Sequence, residues 1–259
     1  MLNFAKIAVI SLLLIVSGMG YYALAGETTT ETRAVKNFNR VTFACTGELF
    51  ITQGNEESLS IEADSEILSL ISTEVRNGAL IIQMKKKLWK PILKGSKSTR
   101  FNLKIKEIEA LNLSGSGEVH AEELRSGNLE LEISGSGDIV IEKLTANELD
   151  ASIYGSGDFT LNRIQAEEVE VIITGSGDAK LVGEVQRLDV SITGSGDVSA
   201  ANLSSRNVEV AINGSGDVMV RAAENLEVEI YGSGDVSYYG NPKISRSISG
   251  SGDLIRLSD

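Results

Sequence analysis

Apolar and polar residues alternate along most of the chain, in short segments. Leu129, Leu131 and Ile133 are separated by polar residues, and the same pattern returns about every 20 residues down to the C-terminus. Residues 37–84 alternate in the same way. Alternation with a period of two is typical of strands that bury one face. The pattern therefore predicts β-strands throughout, with no room for a helix inside the repeating part.

A tetrapeptide, Gly-Ser-Gly followed by Asp or Glu, punctuates these strands. Its copies begin at Gly115, Gly135, Gly155, Gly175, Gly194, Gly214, Gly232 and Gly250. They are 18–20 residues apart, which fits a strand, a tight turn, a second strand and a connection. Two such strands cannot bury their apolar faces alone, so we expect the units to stack as parallel rungs ~4.8 Å apart.

The predicted fold class is all-β: a single-chain parallel β-helix (β-solenoid) of about eight rungs, each of 18–20 residues. The general preference of parallel crossover connections favours a right-handed coil. Antiparallel packing of hairpins in a barrel or sandwich is the alternative. Repetition of the same turn chemistry at a constant period favours the solenoid.

Four segments follow from this pattern. Residues 1–25 are predicted to be a signal peptide, because Lys6 precedes an apolar run and Ala23-Leu24-Ala25 has the small-x-small pattern of a cleavage site. An uncleaved membrane anchor is the alternative. Residues 26–36 are predicted as a short linker, residues 37–100 as an N-terminal β segment that starts or caps the solenoid, and residues 101–259 as the repeat β-helix.

Charge is distributed unevenly along the chain, whose formal net charge is −12. Residues 101–259 contain 27 acidic and 12 basic side chains, whereas residues 27–100 contain 9 and 11. A strongly acidic body disfavours nucleic acid and anionic lipid headgroups as partners. Cys45 is the single cysteine and can form no disulfide within the chain, so we expect it to be a small buried hydrophobe.

The acidic residue that closes each tetrapeptide should lie along one edge of the stack. At ~4.8 Å, two neighbouring unit charges repel by ~0.9 kcal/mol even at the dielectric constant of water. We expect hydrogen bonds within the turn to relieve this repulsion, so that the role is structural. Weak calcium binding is the alternative. Its candidate ligands are Asp138, Asp158, Asp178, Asp197, Asp217 and Asp235. No other cofactor is expected.

The regularity of the repeat argues against an enzyme, because an active site needs a local departure from the pattern. His120 is the only histidine, which excludes a Ser-His-Asp triad and a multi-histidine metal site. We expect His120 to face solvent. No catalytic residue is predicted.

The pattern breaks most clearly at residues 85–100, which contain seven basic residues and the only tryptophan. This basic segment is predicted to be either a solvated loop or a contact site for an anionic envelope component or for the acidic body of another copy. The candidate partner-binding residues are Lys85, Lys86, Lys87, Trp89, Lys90 and Lys94. Glu118, in place of Asp, and Arg246, in place of an aliphatic residue, are smaller departures.

Several motifs together resemble a bacterial family, the putative auto-transporter adhesin head GIN domain. The opening carries Phe-Asn-Arg-Val at residues 38–41 and Phe-Ile-Thr-Gln-Gly at residues 50–54. Val-Arg-Asn-Gly-Ala-Leu-Ile-Ile at residues 75–82 then precedes the tetrapeptide rungs. The resemblance covers roughly residues 35–259. It implies a right-handed parallel β-helix in the envelope of a Gram-negative bacterium, and it implies no activity.

The predicted function is an exported cell-envelope binding or structural module, adhesin-like and without catalytic activity. It is expected in the periplasm, on the outer surface or secreted. The expected partner is an envelope polysaccharide or protein, with self-association as a further option. Nucleic acid is not expected, and contact with a membrane is expected only through an uncleaved leader. A polysaccharide-acting β-helix enzyme and a self-associating envelope scaffold are the alternatives.

Overall fold

Stacked β-strands make up nearly the whole of the computed structural model, which describes residues 28–85 and 98–258. The predicted signal peptide lies outside these residues. The strands before the repeat are β1 (Thr28–Arg33), β2 (Arg40–Ala44), β3 (Glu48–Gln53), β4 (Ser58–Asp64), β5 (Ile71–Arg76), β6 (Ala79–Met84) and β7 (Arg100–Ile105). One short helix, α1 (Ser65–Leu70), lies between β4 and β5.

The repeat begins with shorter strands and continues with longer ones that pass around the corners of the coil. They are β8 (Ala110–Gly115), β9 (Glu118–Ala121), β10 (Leu124–Arg125), β11 (Asn128–Gly135), β12 (Asp138–Ile141), β13 (Leu144–Thr145), β14 (Glu148–Gly155), β15 (Phe159–Gly175), β16 (Ala179–Gly194), β17 (Val198–Gly214), β18 (Val218–Gly232), β19 (Val236–Tyr239), β20 (Lys243–Gly250) and β21 (Leu254–Arg256).

Each rung pairs in parallel with the next, and the tetrapeptides set the register. Leu131 pairs with Leu111 on one side and with Ala151 on the other, and Gly135 pairs with Gly115 and Gly155. The same register continues to β20, where Gly250 pairs with Gly232. The prediction of an all-β parallel solenoid is therefore confirmed. The eight tetrapeptide corners delimit about seven turns of the coil.

Aliphatic side chains that point inwards form continuous columns through the rod. Because register is kept, equivalent residues of successive rungs lie on top of one another and exclude water from a single core. One such column, with every member at most 3% exposed, contains Leu131, Ala151, Val171, Val190, Val210 and Val228. At the N-terminal end the core becomes aromatic, with Phe43 and Phe101 edge to face at 4.9 Å between ring centroids.

Both glycines of the tetrapeptide are required by the close approach of one corner to the next. Gly155 has φ +143°, which L side chains rarely adopt, and a Cβ there would overlap the carbonyl oxygen of Gly135. A Cβ at Gly157 would overlap the carbonyl oxygen of Gly137 and would press on Ile133. Any side chain at these positions would therefore push neighbouring rungs apart.

The stack does not follow the order of the chain at its N-terminal end. β2 lies between β6 and β8, and it pairs in parallel with both, so that Val41 faces Leu80 and Leu111. β3 lies between β7 and β9 in the same way, so that Ile51 faces Leu103 and Ala121. The rung formed by β2 and β3 is thus inserted between two rungs that come later in the sequence.

Antiparallel strands cover the outer edge of the first rung. β5 pairs with β6, β4 pairs with β7, and β1 pairs with β4, all antiparallel. An uncovered edge would expose unpaired N–H and C=O groups to other chains. β1 occupies residues 28–33, which the sequence analysis assigned to the linker 26–36. Its run of threonines suits an exposed strand, which corrects that assignment for these residues.

In the last rung, arginine residues occupy two positions that carry Val and Tyr in the rung before it. Arg246 pairs with Val228 and is therefore placed at an inward position, and Arg256 pairs with Tyr238. The guanidinium of Arg256 donates to the carbonyl oxygen of Gly240 at 3.1 Å. Charge at inward positions of a terminal rung disfavours the addition of another strand, because the incoming core would have to bury it.

Candidate binding face

The tetrapeptide aspartates form a hydrogen-bonded ladder along one edge of the rod. In each case Oδ1 accepts from the backbone N–H of the aspartate in the following rung, at 2.8–3.0 Å. The acceptor aspartates are the six predicted metal candidates: Asp138, Asp158, Asp178, Asp197, Asp217 and Asp235. The carboxylates therefore link successive rungs and relieve part of their mutual repulsion.

The first corner departs from this arrangement because Glu118 replaces Asp. The backbone N–H of Asp138 donates instead to the carbonyl oxygen of Gly117, at 3.2 Å. Glu118 contacts the imidazole of His120 at 3.2 Å. Within residues 28–85 and 98–258, no group of three or more His, Cys, Asp and Glu side chains is arranged to hold a metal ion. Calcium binding at the aspartate edge stays a prediction.

A second ladder of carboxylates crosses the outer face of the sheet formed by β11, β14 and the equivalent parts of β15, β16, β17 and β18. Its members are in register from rung to rung. This acidic ladder consists of Glu130, Asp150, Glu170, Asp189, Glu209 and Glu227. All are exposed except Asp189, which is half-buried. We call the surface that carries the ladder the outer face.

The acidic ladder was not among the predicted site residues, although the repeats carry a signal for it. Each member stands five residues before the first glycine of its tetrapeptide, between two inward-facing apolar residues. Aligning the repeats on that glycine puts an acidic residue at this outward position in six consecutive rungs. The acidic ladder on the outer face is therefore nearly as regular as the acidic residue that closes each tetrapeptide.

Like charges stacked at the rung spacing perturb one another. The pKa of Glu170 is raised, first because partial burial disfavours its charged form and then because Asp150 and Asp189 lie directly above and below it. Farther along, Arg187 relieves the repulsion. Its guanidinium donates to Asp189 at 2.7 Å and to Glu209 at 3.0 Å. Oδ1 of Asp189 is buried and has no hydrogen-bond partner among the described residues.

A second column on the outer face is neutral and carries two tyrosines. It occupies the position just before the first glycine of five consecutive tetrapeptides, in unbroken register. This tyrosine column consists of Tyr154, Thr174, Thr193, Asn213 and Tyr231. Tyr154 is 47% exposed and Tyr231 is 54% exposed, which makes them the most exposed large apolar side chains among the described residues.

Short side chains separate the tyrosine column from the acidic ladder. Ser152, Ile172, Ser191 and Ala211 follow one another in register between the two, and Glu132 and Glu229 stand at the ends. Three of these four side chains hold no more than two heavy atoms, and the half-buried Ile172 is the largest. From these sizes we infer a shallow trough between the two columns, parallel to the rod axis. Carboxylates form one wall, and tyrosine, threonine and asparagine form the other.

A groove of about 390 Å³ lies beside the acidic ladder near the C-terminal end of the rod. Arg187, Asn207, Asn225 and Lys243 line one side in successive rungs, and the last members of the acidic ladder line the other. The amide of Asn225 donates to Oδ1 of Asn207 at 2.6 Å. This groove lies on the side of the acidic ladder away from the trough, and it offers hydrogen-bonding groups in the last rungs.

Of the predicted partner-binding residues, only Lys85 belongs to the part of the chain that the structure describes. Its ammonium donates to the carbonyl oxygen of Ser69 at 2.8 Å, beside the end of α1. Lys86, Lys87, Trp89, Lys90 and Lys94 lie outside the described residues. Lys85 thus contacts the end of α1, and the predicted contact role of the basic segment stays a prediction.

His120, on β9, takes part in a small aromatic cluster with residues of β3 and β7. Its ring stacks on Phe50 with 5.2 Å between centroids, and the guanidinium of Arg100 lies over the same ring at 4.8 Å. Arg100 also pairs with Glu48 at 3.4 Å. The imidazole is half-buried rather than free in solvent. Cation–π contact and stacking give this cluster a structural role in joining three rungs.

Cys45 is buried, and its desolvation raises the pKa of the thiol to about 12. A thiol that stays protonated is a poor nucleophile. Its environment therefore agrees with a packing role.

Comparison with known proteins gives two kinds of match. A family model described as "Putative auto-transporter adhesin, head GIN domain" matches residues 37–162 and again residues 142–242. No curated protein matches the sequence. In the described residues, no helix is long and apolar enough to cross a membrane.

Solved structures from two Parabacteroides species share the fold over most of this chain. A protein from Parabacteroides distasonis, described as a putative lipid binding protein, is 27% identical with a TM-score of 0.84, and the match covers 90% of this chain and 98% of that one. A putative adhesin from the same organism has 22% identity and a TM-score of 0.84 over the same shares of the two chains. A putative adhesin from Parabacteroides merdae has 20% identity and a TM-score of 0.82, covering 90% and 97%.

Proposed function

Because the chain belongs to the family described as putative auto-transporter adhesin, head GIN domain, we propose that it is an exported envelope module that binds a polysaccharide along its outer face. The family assignment and the adhesins of the same fold support an adhesin-like role. The observation that carries the proposal is the acidic ladder and the tyrosine column, in register over consecutive rungs.

A partner with a repeating structure fits such a surface best. Each rung from β11 to β18 offers a carboxylate and a neutral polar side chain, about 4.8 Å from those of the next rung. A linear polymer can engage several rungs at once, and weak contacts at each rung then combine through effective concentration. A small ligand would use only one or two rungs and would leave the regularity of the outer face without a function.

Charge narrows the class of polymer. The acidic ladder repels polyuronates, nucleic acids and anionic headgroups, whose approach would add like charge to carboxylates that already repel one another. One related structure is described as a putative lipid binding protein. On the chain described here, the outer face disfavours an anionic lipid surface and favours a neutral or cationic glycan.

The proposed role includes no catalysis. The carboxylates of the acidic ladder recur in every rung from β11 to β18, whereas an active site needs a local departure from the repeating pattern. The one histidine is committed to Phe50 and Glu118. The family description and the predicted leader support an exported location, at the surface or in the periplasm.

The proposal is tested by fractionating envelope polysaccharides and measuring which fractions the full chain retains on an affinity column. The informative variant is Glu209→Lys with Glu227→Lys, which reverses two charges of the acidic ladder. Glu184→Lys is the matched control, because Glu184 is exposed on another side of the rod. We expect the double variant to lose retention and the control to keep it.

Two results would replace this function with another. Retention of no fraction by the full chain would remove the polysaccharide-binding role. Release of new reducing ends from a bound fraction, abolished by one point mutation, would establish a polysaccharide-acting enzyme instead.

A further inference from the structure

Two exposed tyrosines mark the ends of one column on the outer face. Tyr154 pairs with Thr174, and the register continues through Thr193 and Asn213 to Tyr231. Four rung spacings separate the two rings, which is roughly 19 Å along the rod. Both rings are about half exposed, so neither is held in place by the core.

The residues between the tyrosines are short and polar. Thr174, Thr193 and Asn213 are exposed and offer hydroxyl and amide groups that both donate and accept hydrogen bonds. They lie in line with the tyrosines and do not rise above the rings. A flexible chain that stacks on one tyrosine can therefore follow the column to the other without meeting a bulky side chain.

The opposite wall of the trough supplies negative charge. Glu170, Asp189 and Glu209 face the same stretch of the rod as Thr174, Thr193 and Asn213, because each pair belongs to one strand segment. Oδ1 of Asp189 is a buried acceptor with no hydrogen-bond partner among the described residues. Partial burial, and then the neighbouring Asp150 and Asp189, raise the pKa of Glu170, while Arg187 pairs with Asp189 and Glu209.

Aromatic rings, neutral donors and acceptors, and a wall of carboxylates together define the chemistry of a ligand. Rings of Tyr present an apolar face to the C–H groups of a sugar and a polar edge to its hydroxyls. Carboxylates accept from hydroxyl groups and pair with ammonium groups. Anionic sugars are repelled by the same wall.

We propose that the trough between the tyrosine column and the acidic ladder binds a linear glycan of amino sugars, laid parallel to the rod axis. Tyr154 and Tyr231 stack on two sugar rings, and the carboxylates pair with the amino groups between them. This inference rests on the proposed polysaccharide-binding function and names its ligand class and its residues.

The test measures binding of a β-1,4-linked glucosamine hexamer to the full chain by isothermal titration calorimetry at low salt. The N-acetylglucosamine hexamer and a galacturonate hexamer are the neutral and anionic comparison ligands. We expect the glucosamine hexamer to bind most tightly, the neutral hexamer more weakly and the galacturonate hexamer not at all. Binding of the glucosamine hexamer should weaken as salt is raised, since exposed charge pairs are screened.

Substitutions of the two tyrosines then test whether their rings stack on the sugar. Tyr154→Ala and Tyr231→Ala should each weaken binding by about 2- to 10-fold, the range expected for one aromatic contact. Tyr231→Phe should bind as the unaltered chain does, because it keeps the ring. Met219→Ala is the matched control, since Met219 is an exposed apolar residue on another side of the rod.

Tighter binding of galacturonate than of glucosamine, or equal affinity of the Tyr→Ala variants and the unaltered chain, would overturn the inference. Two different outcomes tell a wrong ligand class apart from a wrong polysaccharide-binding role. If an envelope fraction is retained but glucosamine hexamer does not displace it, the ligand class is wrong and the polysaccharide-binding role stands. If no fraction is retained, the polysaccharide-binding role itself is wrong.

Discussion

The corner glycines allow the stacking of rungs to be tested with three single substitutions. Gly155→Ala combines an unfavourable backbone conformation, φ +143°, with overlap between the new Cβ and the carbonyl oxygen of Gly135. Gly115→Ala has an unfavourable φ of +114° but no described atom within 4 Å of the Cβ. Gly127→Ala meets no described atom within 4 Å and is not among the positive-φ glycines. The three variants separate steric overlap from backbone strain.

The magnitudes follow from the contacts at each corner. An L residue in such a conformation is strained by about 1–3 kcal/mol. Overlap at Gly155 also displaces the bonds from the N–H of Ser156 to Gly135 and from the N–H of Ser176 to Gly155. Each lost hydrogen bond lowers stability by about 0.5–1.5 kcal/mol. Reduced entropy of the unfolded chain returns about 0.4–1 kcal/mol in every Gly→Ala variant.

We therefore expect Gly155→Ala to lower the free energy of unfolding by about 2–5 kcal/mol and Gly115→Ala by about 0.5–2 kcal/mol. Gly127→Ala should leave it unchanged or raise it by up to about 1 kcal/mol. Urea denaturation followed by far-UV circular dichroism measures all three, and hydrogen exchange locates the loosened rungs. Equal effects of Gly155→Ala and Gly115→Ala would refute the argument from close stacking.

Three further predictions concern individual side chains. Asp178→Ala should lower the free energy of unfolding by about 1 kcal/mol, because it removes the acceptor for the N–H of Asp197. Asp178→Asn keeps an acceptor and should be close to neutral. Equal losses of stability for the two variants in urea denaturation would contradict a structural role of the aspartate hydrogen bonds. Glu170 has a raised pKa, so its charged form destabilises the folded state above that pKa and the effect disappears below pH 4.5. Glu170→Gln should therefore raise stability by about 0.2–1 kcal/mol at pH 7 and leave it unchanged at pH 3, whereas an equal gain at both pH values would contradict the repulsion. Cys45, whose thiol has a pKa of about 12, should react with a disulfide reagent at pH 8 only in denaturant, and rapid reaction of the folded chain would show that the strand is mobile.

Much of the repeat was readable because its information is local. Period-two alternation assigns Leu131 and Val171 to the inside, and the spacing of the tetrapeptides aligns them in one column. The same alignment places Tyr154 and Tyr231 at outward positions of one column. The outer face is therefore predictable from the same repeat, because outward residues alternate with inward ones.

Other features depend on contacts between distant segments. The rung formed by β2 and β3 lies between the rung of β6 and β7 and the rung of β8 and β9. No local sequence pattern predicts this order, since each strand has the same alternation as its neighbours. Oδ1 of Asp138 accepts its hydrogen bond from the backbone N–H of Asp158 in the next rung rather than from its own turn. Arg187 joins carboxylates of neighbouring rungs only once the stack has formed.

The amino-acid sequence by itself determined the all-β class, the period of the coil, the division of inward from outward residues and the placement of carboxylates in columns. It could do so because each rung repeats the same local pattern and one rung predicts the next. Only the tertiary structure decided the order of rungs at the N-terminal end, the antiparallel cap with β1, and the links between carboxylates. These depend on which edges meet across long stretches of chain, and a repeating pattern is compatible with several such pairings.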